Sequence, residues 1–128
     1  MALSVGNPHL VFFVGDVDAV PIEQLGPVIE RDAAFPERIN VNVAKVADGG
    51  IRLRTWERGA GLTLACGTGA CAAAVLAERL AGAPSRPATY AVDVPGGRLE
   101  VTLRGDGHAV LTGPAKIVVR GTMIWSGP

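Results

Sequence analysis

Histidine and cysteine are scarce in this sequence: two of each in 128 residues, His9, His108, Cys66 and Cys71. No second Cys/His cluster completes a ligand set, so a metal site is not expected. Charge of one sign is also lacking. Twelve Lys+Arg balance twelve Asp+Glu, giving net +0 and a sequence pI near 6.7. Without a basic stripe to grip phosphates, nucleic acid is not an expected partner. No apolar run is long enough for a membrane helix, and the N-terminus lacks the pattern of a signal peptide. The expectation is no membrane partner and a cytoplasmic location.

What is abundant is apolar. Hydrophobic residues make up 48% and charged residues 19%, with a mean hydropathy of +0.32. Either the core is large for the size, or part of the surface is covered by a partner. The length fits one domain over residues 1–128, able to bury a core without disulfide staples. Cys66 and Cys71 are expected as free thiols. They lie five residues apart, and on a helix such positions point in different directions.

Seven strands are legible: Leu10–Val14, Ile39–Ala47, Ile51–Glu57, Thr89–Val94, Arg98–Arg104, His108–Thr112 and Lys116–Trp125. Two hairpins are expected, at Asp48-Gly49-Gly50 and Pro95-Gly96-Gly97. Pro21–Arg31 is expected as a helical stretch broken by Gly26-Pro27, and Arg58–Ala65 as a glycine-containing loop. The helix from Gly67 or Thr68 to about Leu80, closed by Gly82 and Pro84, is apolar all round its first turns, which is the composition of a buried helix. The fold class is therefore α+β: a strongly curved mixed or antiparallel, barrel-like sheet around a central buried helix.

Glu57 shares strand parity with Ile51 and Leu53, opposite Arg52 and Arg54, and a carboxylate at the inward end of a strand needs a partner. Cys66 falls where a loop meets the start of the apolar helix. Unpaired first-turn amides and the helix dipole are expected to favour thiolate; a fall of about two units would raise the ionised fraction at neutral pH from roughly 3% to roughly 75%. The same amides can hold a carboxylate, and Gly67 and Gly69 would let a ligand approach the backbone. Cys71, inside the helix, is expected to be core packing. Gly67-Thr68-Gly69-Ala70-Cys71-Ala72 also fits a dinucleotide fingerprint, but hairpins rather than parallel βαβ pairing are expected around it.

The segment E-R-G-A-G-L-T-L-A-C-G-T-G-A-C-A, Glu57–Ala72, resembles the hallmark around the C-terminal cysteine of diaminopimelate epimerases. G-N-P-H at Gly6–His9, F-P-E-R-I-N-V at Phe35–Val41 and D-V-P-G-G-R-L at Asp93–Leu99 agree in order and spacing. The resemblance implies interconversion of LL- and meso-diaminopimelate, in lysine and peptidoglycan precursor synthesis, with neither pyridoxal phosphate nor metal. Two similar domains each supply one cysteine: a thiolate removes the α-proton and a thiol protonates the opposite face. Carried over by position, Cys66 is the acid/base of the C-terminal domain. Gly67 and Thr68 are backbone donors to the substrate. Asn7, Asn40, Glu57 and Arg58 bind it, and His9 and Glu57 tune the thiols.

Leu62, Leu10 and Val43 depart from the family pattern without removing a named catalytic group. The larger departure is that no counterpart of the family's N-terminal epimerase domain is expected within these 128 residues. The chain is expected to be the C-terminal half, with Met1–Leu3 an added segment, and to be inactive alone, since one thiol cannot serve both faces. Its expected partners are a small-molecule amino-acid substrate and that domain, with a homodimer left open. Rival expectations are another isomerase of the same structural group (phenazine-biosynthesis-like or proline-racemase-like) and a non-catalytic binding domain.

Overall fold

The computed structural model describes residues 1–47, 49–82 and 86–127. In chain order the elements are β1 (Ala2–Ser4), β2 (Pro8–Phe13), α1 (Ile22–Glu30), β3 (Asn40–Ala47), β4 (Gly50–Glu57), β5 (Gly61–Thr63), α2 (Gly67–Ala81), β6 (Ala88–Val94), β7 (Gly97–Leu103) and β8 (Ala109–Thr112). The strands form one mixed sheet in the order β1-β2-β3-β4-β6-β7-β8, with β5 attached to β4. β2/β3 and β4/β6 are parallel; the other pairs are antiparallel. Parallel neighbours need a long crossover, and α1 and α2 provide the two. Parallel βαβ pairing therefore does occur, contrary to the expectation of hairpins around the glycine-rich segment.

The sheet curls around α2, which packs against β2, β3, β4, β6, β7 and β8. Its Ala70, Ala72, Ala73, Ala74, Leu76 and Ala77 meet Val11, Ala44, Ile51, Leu53, Val92, Val101 and Leu103 in one core. Alanines let strands approach on several sides, and the larger residues fill the space between; each fully buried Leu or Val contributes about 1.5–3 kcal/mol. The helix ends at Gly82, whose left-handed φ of 76° suits a residue without Cβ. Asp48 of the first hairpin turn and Pro84 beyond the helix lie outside the described residues.

The outer face carries α1, whose Ile22 packs in a second cluster with Val17, Val43 and Trp56. The expected break at Gly26-Pro27 is absent, and α1 runs unbroken through Pro27. Tertiary packing holds it. The Trp56 ring lies against Gly26 so closely that a Cβ there would stand 2.5 Å from the ring.

Two other expectations are corrected. The loop after Glu57 contains β5, which folds back onto Thr55–Glu57 through Gly59 and Gly61, both at positive φ. A three-residue strand beside glycines has too little periodicity to be read. Lys116–Trp125 forms no strand: among the described residues, 113–127 carry no regular structure, with Ile117, Val119 and Ile124 67%, 81% and 100% exposed. An alternating pattern needs a sheet edge to pair with, and this segment meets none here. Met1–Leu3 are built into the sheet: Val11 donates to the Met1 carbonyl at 2.8 Å, and Leu3 pairs with His9.

Candidate functional site

Cys66 is the N-cap of α2, in extended conformation at φ −131° and ψ 106°. Its carbonyl starts the helix by accepting from Ala70 N–H at 2.9 Å. Its Sγ accepts from Gly69 N–H at 3.4 Å and lies 3.6 Å from Thr68 Oγ1. The amides of Gly67 and Thr68, in the same first turn, have no intrahelical acceptor. Both cysteines are free thiols. Cys71 is half-buried and packs against the core, as expected.

The charge state of Cys66 differs from the expectation. Cys66 is 5% exposed, and burial pushes the thiol up. Thr68 and Gly69 pull it down by hydrogen bonding, but Glu57 pushes it up again through its charge and a hydrogen bond. The net direction is upward. A helix start lowers a thiol pKa only where the sulfur stays solvated enough for the amides to outweigh desolvation, and here it is enclosed beside a carboxylate.

His9, fully buried on β2, faces the same point. Its Nε2 lies 3.0 Å from Thr68 Oγ1 and 3.1 Å from Asn7 Oδ1, while Asn7 Nδ2 donates to Thr68 Oγ1 at 3.3 Å. Burial pulls the imidazole below its ordinary value, against the opposing Glu57 charge. His9 is therefore neutral at neutral pH.

Glu57 has the inward parity expected: Ile51, Leu53 and Thr55 precede it on the buried face of β4, and its charge acts on both His9 and Cys66. Asn40 is not the solvent-facing residue that a strand asparagine usually is. It is buried, donating to the Pro8 carbonyl at 2.8 Å and accepting from Arg58 N–H at 2.9 Å, so it ties β2 to the turn after β4. Arg58 is exposed, with its guanidinium donating to the Glu37 carbonyl at 2.8 Å.

Gly69 is corrected as a ligand-approach residue. A Cβ there would stand 2.6 Å from Asn42 Oδ1 and 3.2 Å from both Cys66 Sγ and Thr55 Oγ1, so the missing side chain makes room for the protein's own polar groups. At Gly67 a Cβ would stand 2.7 Å from Leu111 Cδ2. Neither glycine opens a dinucleotide cradle, so the fingerprint stays unsupported despite the parallel pairs.

Two buried residues were not legible as part of this site. Asn42 lies between Val41 and Val43, and only its shared parity with Asn40 hinted at an inward side chain. Glu30, at the end of α1, accepts from Trp56 Nε1 at 2.8 Å and Gly59 N–H at 3.0 Å, with Arg38 at 3.6 Å, and so fixes the turn that carries Glu57 and Arg58. Its hydrogen bond from Trp56, chiefly, holds the carboxyl below its usual range despite burial. A depressed native pKa means the unfolded chain binds more protons in acid. The contribution is thus present above the unfolded value of about 4.3 and lost as pH falls through the lower native one. Urea midpoints measured between about pH 3 and 6 should rise with pH, and Glu30→Gln should flatten the rise; an unchanged slope would assign it to other carboxylates.

A curled mixed sheet wrapped on one buried helix, with a thiol capping that helix, puts the chain in the diaminopimelate-epimerase-like fold class. Two solved structures of phenazine biosynthesis protein PhzF family members share the fold. The one from Enterococcus faecalis has a TM-score of 0.52 and 18% identity, over 78% of this chain and 35% of that one. The one from Bacillus anthracis has a TM-score of 0.52 and 20% identity, over 86% and 36%. The chain belongs to the diaminopimelate epimerase family, whose sequence model matches residues 1–118. It is 54% identical over 125 residues to the diaminopimelate epimerase of Erythrobacter litoralis, 58% over 116 residues to that of Rhizorhabdus wittichii and 49% over 121 residues to that of Bacillus subtilis. These alignments cover 97%, 90% and 94% of this chain but 45%, 41% and 42% of those proteins. The chain spans less than half the length of the curated relatives it matches. Among the described residues, no helix is long and apolar enough to cross a membrane.

Proposed function

We propose that this chain is the C-terminal, single-cysteine half of a cofactor-independent epimerase that interconverts LL- and meso-diaminopimelate, completed by an N-terminal domain carrying the second cysteine. The observation that carries this reading is the Cys66 sulfur at the start of α2, held by Gly69 N–H beside Thr68, Glu57 and His9. Its raised pKa suits a resting thiol, the proton donor of the pair. In the forward step the opposite thiolate takes the α-proton. The electron pair left on carbon then takes the Cys66 proton on the other face, leaving Cys66 as thiolate and its counterpart as thiol. The reverse reaction exchanges the roles. The first-turn amides of Gly67 and Thr68, at the positive end of the helix, hold the α-carboxylate. Asn7, Asn40, Glu57 and Arg58 line the rest of the substrate site. The exposed apolar side chains of residues 117–125 support a partner domain over this part of the chain.

The test is exchange of the α-proton of LL-diaminopimelate into deuterated water. The chain alone should give negligible exchange and no meso product, and adding the N-terminal domain should restore both. Robust turnover by the isolated chain would reject the two-domain reading. Turnover of proline or hydroxyproline in place of diaminopimelate would move the protein to another isomerase of the same structural group.

A further inference from the structure

Asn42 is fully buried in the middle of β3, and the acid/base chemistry above makes no use of it. Its orientation is fixed from both ends. Nδ2 donates to the Leu10 carbonyl at 3.1 Å and faces the Asn40 carbonyl at 3.4 Å, and Oδ1 accepts from Thr55 Oγ1 at 2.9 Å. Carbonyls cannot donate, so the amide nitrogen must be the end that also points, at 3.1 Å, to His9 Nδ1. A donor there requires a lone pair on Nδ1, so in the neutral ring the hydrogen sits on Nε2.

From that hydrogen the bonds run one way. Nε2–H points at Thr68 Oγ1 and Asn7 Oδ1. Thr68 Oγ1 also accepts from Asn7 Nδ2, so its own hydrogen is left for the acceptor on its remaining side, the Cys66 sulfur. We infer that Asn42 is a positioning residue that selects the Nε2–H tautomer of His9 and thereby directs the Thr68 hydroxyl proton toward the Cys66 sulfur. The chain is Asn42 Nδ2–H to His9 Nδ1, His9 Nε2–H to Thr68 Oγ1, and Thr68 Oγ1–H to Cys66 Sγ. An acceptor at position 42 would reverse every link, turning the Thr68 hydrogen back toward His9. This deepens the epimerase reading, resting on it only for why the thiol matters.

The first test needs neither a variant nor turnover. Nitrogen-15 spectra of the histidine-labelled chain, with His9 assigned by loss of its signals in His9→Gln, should give the Nε2–H pattern at neutral pH. The Nδ1–H pattern would overturn the inference and leave the epimerase reading intact.

The second test is a cycle on a Cys71→Ala background, reading the pH midpoint of Cys66 alkylation. Asn42→Asp and Thr68→Val should each raise the midpoint by about half a unit to one unit, roughly a three- to tenfold loss of thiolate at fixed lower pH. The aspartate also acts on the sulfur directly by charge, but that effect persists in the Thr68→Val background, whereas the effect through the hydroxyl does not. The double variant should therefore shift the midpoint by less than the sum of the two. Strict additivity would overturn the inference. If Asn42→Asp does not fold, as judged by circular dichroism, the wild-type tautomer remains decisive.

Discussion

Replacing Cys66 by alanine in the assembled two-domain protein is expected to slow inversion of the α-carbon by about 10²–10⁴-fold, the range lost with one positioned acid or base. The fold should survive, because the sulfur's cap bond from Gly69 N–H is a weak one at 3.4 Å and the helix still starts from the Cys66 carbonyl. The prediction separates two measurements. Under the proposed two-cysteine mechanism, inversion needs a donor on the Cys66 face, whereas proton exchange on the other face needs only the opposite cysteine. Cys66→Ala should thus lose meso product far more than it loses slow exchange of the α-proton of one stereoisomer. Inversion at the wild-type rate would remove Cys66 from the chemistry.

The second large effect is expected at Gly69. Gly69→Ala should destabilise the chain by about 1–3 kcal/mol through overpacking, partly offset by the roughly 1 kcal/mol that alanine gains over glycine inside a helix. The added Cβ would stand 2.6 Å from Asn42 Oδ1, and Asn42 cannot retreat without breaking its bonds to Thr55 and the Leu10 carbonyl. The same substitution presses on the Cys66 sulfur at 3.2 Å, so alkylation of Cys66 should change with stability. A urea midpoint equal to or above that of the parent would show that the helix shifts freely and that the close approach is not a constraint.

The sequence alone determined the central features of this protein. The alanine-rich, uncharged stretch after Cys66 could only be a buried helix, because no face of it suits water. Parity along Ile51–Glu57 turned Glu57 inward, and four ordered motifs marked the family. These are local or pattern properties, carried by residues close together in the chain.

The tertiary structure decided what depends on enclosure and on long-range pairing. It made β2/β3 and β4/β6 parallel, held α1 unbroken by laying Trp56 on Gly26, folded β5 back onto β4, and left Lys116–Trp125 without a strand to join. It also reversed the expected charge of Cys66. The sequence places the sulfur at a helix start, but whether amides or desolvation prevails depends on what encloses it. That enclosure is built by β2, β3 and β4: His9 and Asn42, distant from Cys66 along the chain, join the nearer Thr55 and Glu57 only when the sheet curls.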